Sequence, residues 1–365
     1  MSINHAELQA HDNHNVGIIE GFYGHEWSWA ARTQYARFLK DNGMAFYIYA
    51  PKSDKHLREQ WQTPWPNEQL AEMQALSLAY EAEGVEFGLS LSPMEIYRDW
   101  NAESKQQLIQ KIDELNQVNH QILCVLFDDM WGDIPDLAEL QIDITHTVKQ
   151  HSRAKTIIMC PSYYTFEPIL EELFGARPER YWEDLGAGLD PDIEVFWTGD
   201  LVCSTEYSVE GLSSINAAMQ RPVTLWDNYP VNDGKKTSPF LHLWAFENRP
   251  SELSQCTRRH VANPMNAPFL SKIPLITLSD VYTMGIGYNP RQSQKNALHA
   301  VCGEELAQHI SQDIHVFQEQ GLNALAPEEI HNMLQTYQAF SHPCAHEICL
   351  WLQGHYAFDP ACLTG

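Results

Sequence analysis

Basic residues are scarce in this chain. Lysine and arginine together number 23 against 48 acidic residues, a formal charge of −25. A surface of that sign repels phosphate backbones and anionic headgroups, so nucleic acid and membranes are not expected partners and uncharged substrates are. Long apolar runs are missing too, with no stretch of about 18 unbroken apolar residues that could cross a bilayer. The opening Met1-Ser2-Ile3-Asn4-His5-Ala6-Glu7 has neither the basic nor the apolar region of a secretory leader. The expected setting is soluble and cytoplasmic. Eight cysteines are scattered, and Cys124 and Cys160 fall inside apolar runs where a thiol acts as a small hydrophobe, so no disulfide framework is implied.

Two motif classes are lacking as well. No Gly-x-Gly-x-x-Gly or phosphate-cradling loop occurs, and no His-Glu-x-x-His. His342, Cys344, His346 and Cys349 could ligate a metal, but zinc sites pair two separated couples and no matching second couple exists. His25, His56, His242 and His260 read as supporting or surface residues. Neither metal nor cofactor is expected.

What is present centres on Ile122-Leu123-Cys124-Val125-Leu126-Phe127, six apolar residues running straight into Asp128 and Asp129. Such a run predicts a strand buried on both faces. Successive strand side chains point to opposite faces, so neighbouring carboxylates share a pocket only where the strand ends. Many Asp-Asp pairs are solvated turns or helix caps. The apolar run before this pair and Met130-Trp131 after it point instead to a barrel mouth. Like charges a few ångströms apart do not both ionise cheaply, so such a pair divides into a proton carrier and a charge stabiliser, as sugar cleavage requires.

The strand-helix alternation recurs along the chain. Strands are predicted at 16–20, 45–50, 85–91, 122–127, 156–160, 193–197, 223–227 and, weakly, 259–263. Amphipathic helices intervene: one from Ser28 to the stop at Asn42-Gly43, one carrying Leu70, Met73, Leu76 and Tyr80, one carrying Leu108, Ile112, Leu115 and Val118, and one from Asp136 to about Gln150. The expectation is an α/β protein, a (β/α)8 TIM barrel over 16–290, with a doubly wound open sheet as the alternative. A polar segment, 1–15, precedes it. A small helical appendage, 291–365, follows, with helical spacing of Leu298, Val301, Leu306, Ile310, Ile314, Phe317 and Leu322 and further helices from about Glu328 to the end. It either packs on the barrel or makes a homodimer contact. Lys52, Tyr164, Trp197, Trp226, Asn228, Asp233 and Asn263 join the two aspartates at strand carboxyl ends, where barrels build their sites. Gly21-Phe22-Tyr23-Gly24 offers close backbone approach between two aromatic walls.

Seven motifs in order, Glu20-Gly21-Phe22-Tyr23-Gly24, Tyr49-Ala50-Pro51-Lys52, Phe127-Asp128-Asp129, Cys160-Pro161-Ser162-Tyr163-Tyr164, Trp197-Thr198-Gly199, Trp226-Asp227-Asn228 with Asn232-Asp233, and Asn263-Pro264, together resemble glycoside hydrolase family 84. That family holds protein O-GlcNAcases and bacterial β-N-acetylglucosaminidases. The resemblance implies a retaining exo-β-N-acetylglucosaminidase in which the substrate's own acetamido oxygen attacks the anomeric carbon to form an oxazoline. It implies that Asp128 orients the acetamido N–H and steadies the oxazoline, and that Asp129 protonates the leaving oxygen and then deprotonates water. It further implies that Lys52 and the Gly21 carbonyl bind sugar hydroxyls, that Asp233 and Asn263 hold the O4 and O6 end, and that Asn228, Tyr164 and Trp226 line the acetamido pocket. The implied partner is a GlcNAc-containing glycoconjugate or glycoprotein. Tyr163 stands where the family often has Glu, Lys52 is followed by Ser-Asp rather than Asp-Asp, and the run Pro264-Met265-Asn266-Ala267-Pro268-Phe269 lacks the acid bacterial relatives often place there, so the aglycone and rim contacts are expected to differ. The alternatives are a catalytically silent GlcNAc-binding barrel and a hydrolase of another acetamido sugar, such as chitin or hyaluronan fragments.

Overall fold

The computed structural model describes residues 15–364, so the predicted polar N-terminal segment falls, but for its last residue, outside them. Eight parallel strands close into a barrel in sequence order: β1 (Val16–Glu20), β2 (Phe46–Tyr49), β3 (Glu86–Leu91), β4 (Ile122–Leu126), β5 (Thr156–Cys160), β6 (Glu194–Trp197), β7 (Val223–Asp227) and β8 (Thr257–Ala262). β8 pairs with β1, Val16 opposite His260, so no sheet edge is left open. Every residue of β1, β2, β4 and β7 is buried, because helices cover the outside and side chains fill the inside.

The helices between strands start and stop on local chemistry. Ser28 caps α1 (Trp29–Asp41) by accepting from the Ala31 N–H, and Asn101 with Ser104 forms a capping box for α3 (Ala102–Leu115). α2 (Asn67–Glu83) buries Met73, Leu76 and Tyr80 and ends at Gly84, whose φ of 72° needs no Cβ. α4 (Leu137–His151) packs beside α3. The β5–β6 connection holds two helices that periodicity did not reveal, α5 (Ile169–Phe174) and α6 (Tyr181–Gly188), and α7 (Val209–Ala218) precedes β7.

The barrel's amino end is closed by charge. Arg259 Nε lies 3.1 Å from Glu194 Oε1 and its Nη1 lies 3.4 Å from Glu86 Oε2, joining the starts of three strands. Nearer the mouth, Glu20 is fully buried, paired with Arg32 of α1 at 2.6 Å and accepting from the Tyr47 hydroxyl at 2.5 Å. The motif glutamate therefore fastens the first helix to the first two strands.

α8 (Pro268–Met284) follows β8, and its far side builds a second apolar core with α9 (Pro290–His315), α10 (Pro327–Gln338) and α11 (Pro343–Leu352). Leu270 and Ile273 meet Leu298, Ile310, Phe317 and Trp351 there, so the appendage packs on the barrel. α9 bends at Gly303, where φ is 72°. The expectation of helix to the chain's end holds only as far as Leu352. Gly354, with φ 79°, turns the backbone, and residues 357–364 run without regular secondary structure beyond one turn.

Candidate active site

β4 ends at Leu126, and the alternation breaks as the sequence required. Phe127 N still donates to Cys160 O at 2.9 Å, after which Asp129 takes a left-handed φ of 58°. That backbone turn lets both carboxylates face one cavity at the carboxyl end of the barrel. Aspartate tolerates the conformation better than a branched residue would.

Lys52, from the loop after β2, ties the pair together. Its ammonium bonds Asp128 Oδ2 and lies 3.9 Å from Asp129 Oδ2. Asp128 Oδ1 is buried and has no hydrogen-bond partner among the described residues. A buried carboxylate oxygen without a donor is costly, and it is built to receive an N–H or O–H from a ligand. Asp129 is dressed differently. Tyr23 donates its hydroxyl to Asp129 Oδ2 at 2.5 Å, and Tyr164 approaches Oδ1 at 3.4 Å. Burial first, then the nearby aspartates, raise both phenols far above their usual range, so they remain donors. A carboxylate so placed beside a second carboxyl group suits developing positive charge.

The floor is aromatic. Trp226, at the end of β7, lies flat against Gly21, where a Cβ would come within 2.5 Å of the indole. The glycine is required by that close approach. Trp226 Nε1 donates to Asn228 Oδ1 at 2.9 Å, and Asn263 Nδ2 donates to the same oxygen at 3.0 Å. Asn263 in turn accepts from Gly21 N at 3.2 Å, and Asn228 donates to Val202 O at 2.8 Å. Asp233 accepts from Tyr23 N at 2.8 Å, and burial pushes its carboxyl up to about 6.

Gly21, Lys52, Asp128, Asp129, Tyr164, Trp226, Asn228, Asp233 and Asn263 all line this one cavity. Two expectations change. Of the two aromatic walls only Tyr23 faces the cavity; Phe22 packs in the core against Trp27, because strand alternation carries it outward. Trp197 is likewise buried, its ring against Phe166 and Trp182. For His260 the supporting reading holds over the surface one: it is buried and bonds Asp227 at 3.0 Å and Tyr282 at 2.6 Å. Burial alone would raise Asp227, and the bidentate Arg249 guanidinium with the His260 bond outweighs it, holding the carboxyl below its usual range. This buried set fixes the end of β7 beneath Trp226 and Asn228. Residues that sequence reasoning passed over also line the cavity: Thr198, Val202 and Cys203 after β6, Val231 after β7, and Cys362 and Thr364 from the far end of the chain. Thr198 and Val202 sat in or beside a quoted motif, but nothing in sequence marks which loop residue turns inward.

Outside the site, His342 Nδ1 accepts from Cys344 N as the cap of α11, and Cys344 and Cys349 are buried in the second core. Tyr163, where the family often has Glu, donates to Gly175 O at 2.7 Å. Asn266 donates to Tyr23 O and His25 O, both at 2.9 Å, and so holds the β1 loop.

A neutral sugar at a bond-breaking site needs a proton carrier beside a fixed carboxylate over an aromatic surface, and the mouth of this parallel barrel supplies them. The class is that of the (β/α)8 glycoside hydrolases. A family model for beta-N-acetylglucosaminidase matches residues 16–318, and the chain belongs to that family, glycoside hydrolase family 84. It is similar to the protein O-GlcNAcases of Rattus norvegicus and Mus musculus, 28% identical to each over 260 residues, covering 68% of this chain. The chain spans only 28% of the length of those relatives. Among solved structures it resembles a mutant O-GlcNAc hydrolase of Thermobaculum terrenum, with a TM-score of 0.75 and 32% identity over 93% of this chain and 80% of that one. It also resembles CpGH84B, with a TM-score of 0.74 and 26% identity over 88% and 57% of the two chains.

Proposed function

We propose that this chain is a retaining exo-β-N-acetylglucosaminidase that works by substrate-assisted catalysis, with O-GlcNAc-modified protein as the substrate class. The observation that carries the reading is the asymmetry of the pair. Asp128 offers an unpartnered buried oxygen, and Asp129 sits between two phenols facing the same space. In the first step the acetamido N–H donates to Asp128 Oδ1 while its carbonyl oxygen attacks the anomeric carbon. The bond to the leaving oxygen breaks, and that oxygen takes the proton from Asp129. Asp128 then faces a positively charged oxazolinium, which it stabilises at close range in a buried site. In the second step water attacks the same carbon, Asp129 takes its proton, and the ring oxygen of the oxazoline returns to the acetamide. Two inversions give retention. Lys52 holds Asp128 in its place through Oδ2, and Trp226 supplies the apolar surface for the acetamido methyl group.

The test is hydrolysis of an aryl β-N-acetylglucosaminide in which the acetamido methyl is progressively fluorinated. Fluorine weakens the carbonyl oxygen as a nucleophile, so the rate is expected to fall steeply along the series. A flat series would mean that an enzyme side chain attacks instead. Sugar binding without turnover would establish the silent barrel.

A further inference from the structure

The cavity is not lined by the barrel alone. After α11 the chain turns at Gly354, and Tyr356 buries its ring edge-on to His25 of the β1 loop, centroids 5.5 Å apart. Asp359 then crosses the same loop, its Cβ 3.9 Å from where a Cβ on Gly24 would stand. A turn closes as Cys362 N donates to Asp359 O and Ala361 N to Asp359 Oδ1, each at 3.0 Å. From there the side chains alternate as in an extended strand: Cys362 is buried, Leu363 is 56% exposed, and Thr364 points back in. Cys362 and Thr364 line the cavity that holds Asp128, Asp129 and Lys52, together with Tyr164, the phenol beside Asp129. With this segment seated, the space left open to water in the cavity is about 50 Å³.

We infer that residues 357–364 act as an intramolecular competitor that occupies the mouth of the sugar pocket and leaves it when substrate binds. This rests on the function proposed above, because it takes the cavity around Asp128 and Asp129 to be the place of the sugar. The segment is suited to leaving. Among the described residues it has no regular secondary structure past Tyr356 and pairs with no strand, and Tyr356, at 4% exposure, anchors its near end. A segment seated about 90% of the time lowers apparent affinity about tenfold, since ligand binds only the remaining fraction.

The test compares the full chain with a variant ending at Tyr356 and with Cys362→Arg, which unseats the segment without shortening the chain. Thermal unfolding checks that both fold. For an aryl β-N-acetylglucosaminide, KM is expected to fall about three- to tenfold in both variants. Affinity for a thiazoline mimic of the oxazoline should tighten equally, and a synthetic peptide of residues 356–364 should raise the KM of the shortened form. Unchanged KM and affinity, or weaker binding as though the segment completed the pocket, would overturn the inference. A readout independent of the chemistry is alkylation of Cys203, which shares the cavity with Cys362. Removing the segment should speed its labelling several-fold, and an unchanged rate would count against occupancy even if neither form hydrolysed any sugar. No turnover in either form alongside faster labelling would instead fault the proposed activity and leave the occupancy standing.

Discussion

At the scale of single residues, the two aspartates are expected to fail in different ways when removed. Asp129→Ala should lose about 10²–10⁴ in rate on an alkyl or peptide aglycone and far less on a dinitrophenyl aglycone, which leaves without a proton. Asp128→Ala should lose rate about equally on both, since the proposed function has it act on the acetamido group. Measuring kcat/KM across aglycones of graded acidity separates them, and parallel slopes would contradict the division of labour. Asp233 offers a second test with the sign fixed. Its folded carboxyl is raised to about 6 from an ordinary value near 4, so the folded state holds the proton more tightly than the unfolded one. The group therefore costs stability as pH rises from about 4 to about 6, on the order of 2–3 kcal/mol. Relative to wild type, Asp233→Asn should gain thermal stability over that window and then hold a constant difference above it. It should also weaken sugar binding, and wild-type KM should climb as pH drops below about 6.

At the scale of elements, Glu347 of α11 accepts from the first two free N–H groups near the start of α8, Phe269 at 2.9 Å and Leu270 at 2.8 Å. It thus caps a helix distant in sequence. Burial pushes its carboxyl up to about 8, so its contribution weakens as pH rises from about 4.5 to about 8. The stability difference between wild type and Glu347→Gln, followed by denaturant melts from pH 5 to pH 9, should shift steadily in favour of the glutamine; a pH-independent difference would refute this. Strands were the most legible elements, since runs such as Ile122 to Leu126 or Ile157 to Cys160 are too short and too uniformly apolar for anything but a covered barrel wall. The site residues at their ends were legible for the same reason: a strand end is where a polar group in an apolar run must point somewhere useful. α5 and α6 were not, being too short to show a period. The segment after Leu352 was misread because local apolar spacing cannot show that Gly354 turns the chain back over the β1 loop. Cys362 and Thr364 reach Tyr164 across about 200 positions of sequence, a distance no local pattern encodes.

At the scale of the molecule, a charge of −25 surrounds a pocket whose own carboxylates outnumber its ammonium. Glycopeptides flanked by lysine or arginine should be cleaved about tenfold faster at low salt than the same peptides flanked by aspartate or glutamate, through faster encounter. The two should converge near 0.5 M salt, where exposed charges more than a few ångströms apart are screened. A preference that survives high salt would place its origin in direct rim contacts. The closed amino end of the barrel has a further consequence. Because Arg259, Glu194 and Glu86 seal the floor below a solid interior, the pocket is a blind socket rather than a tunnel. Under the function proposed above, each visit would remove one cap, and the freed cap would depart by the doorway through which it came, after the aglycone has cleared it.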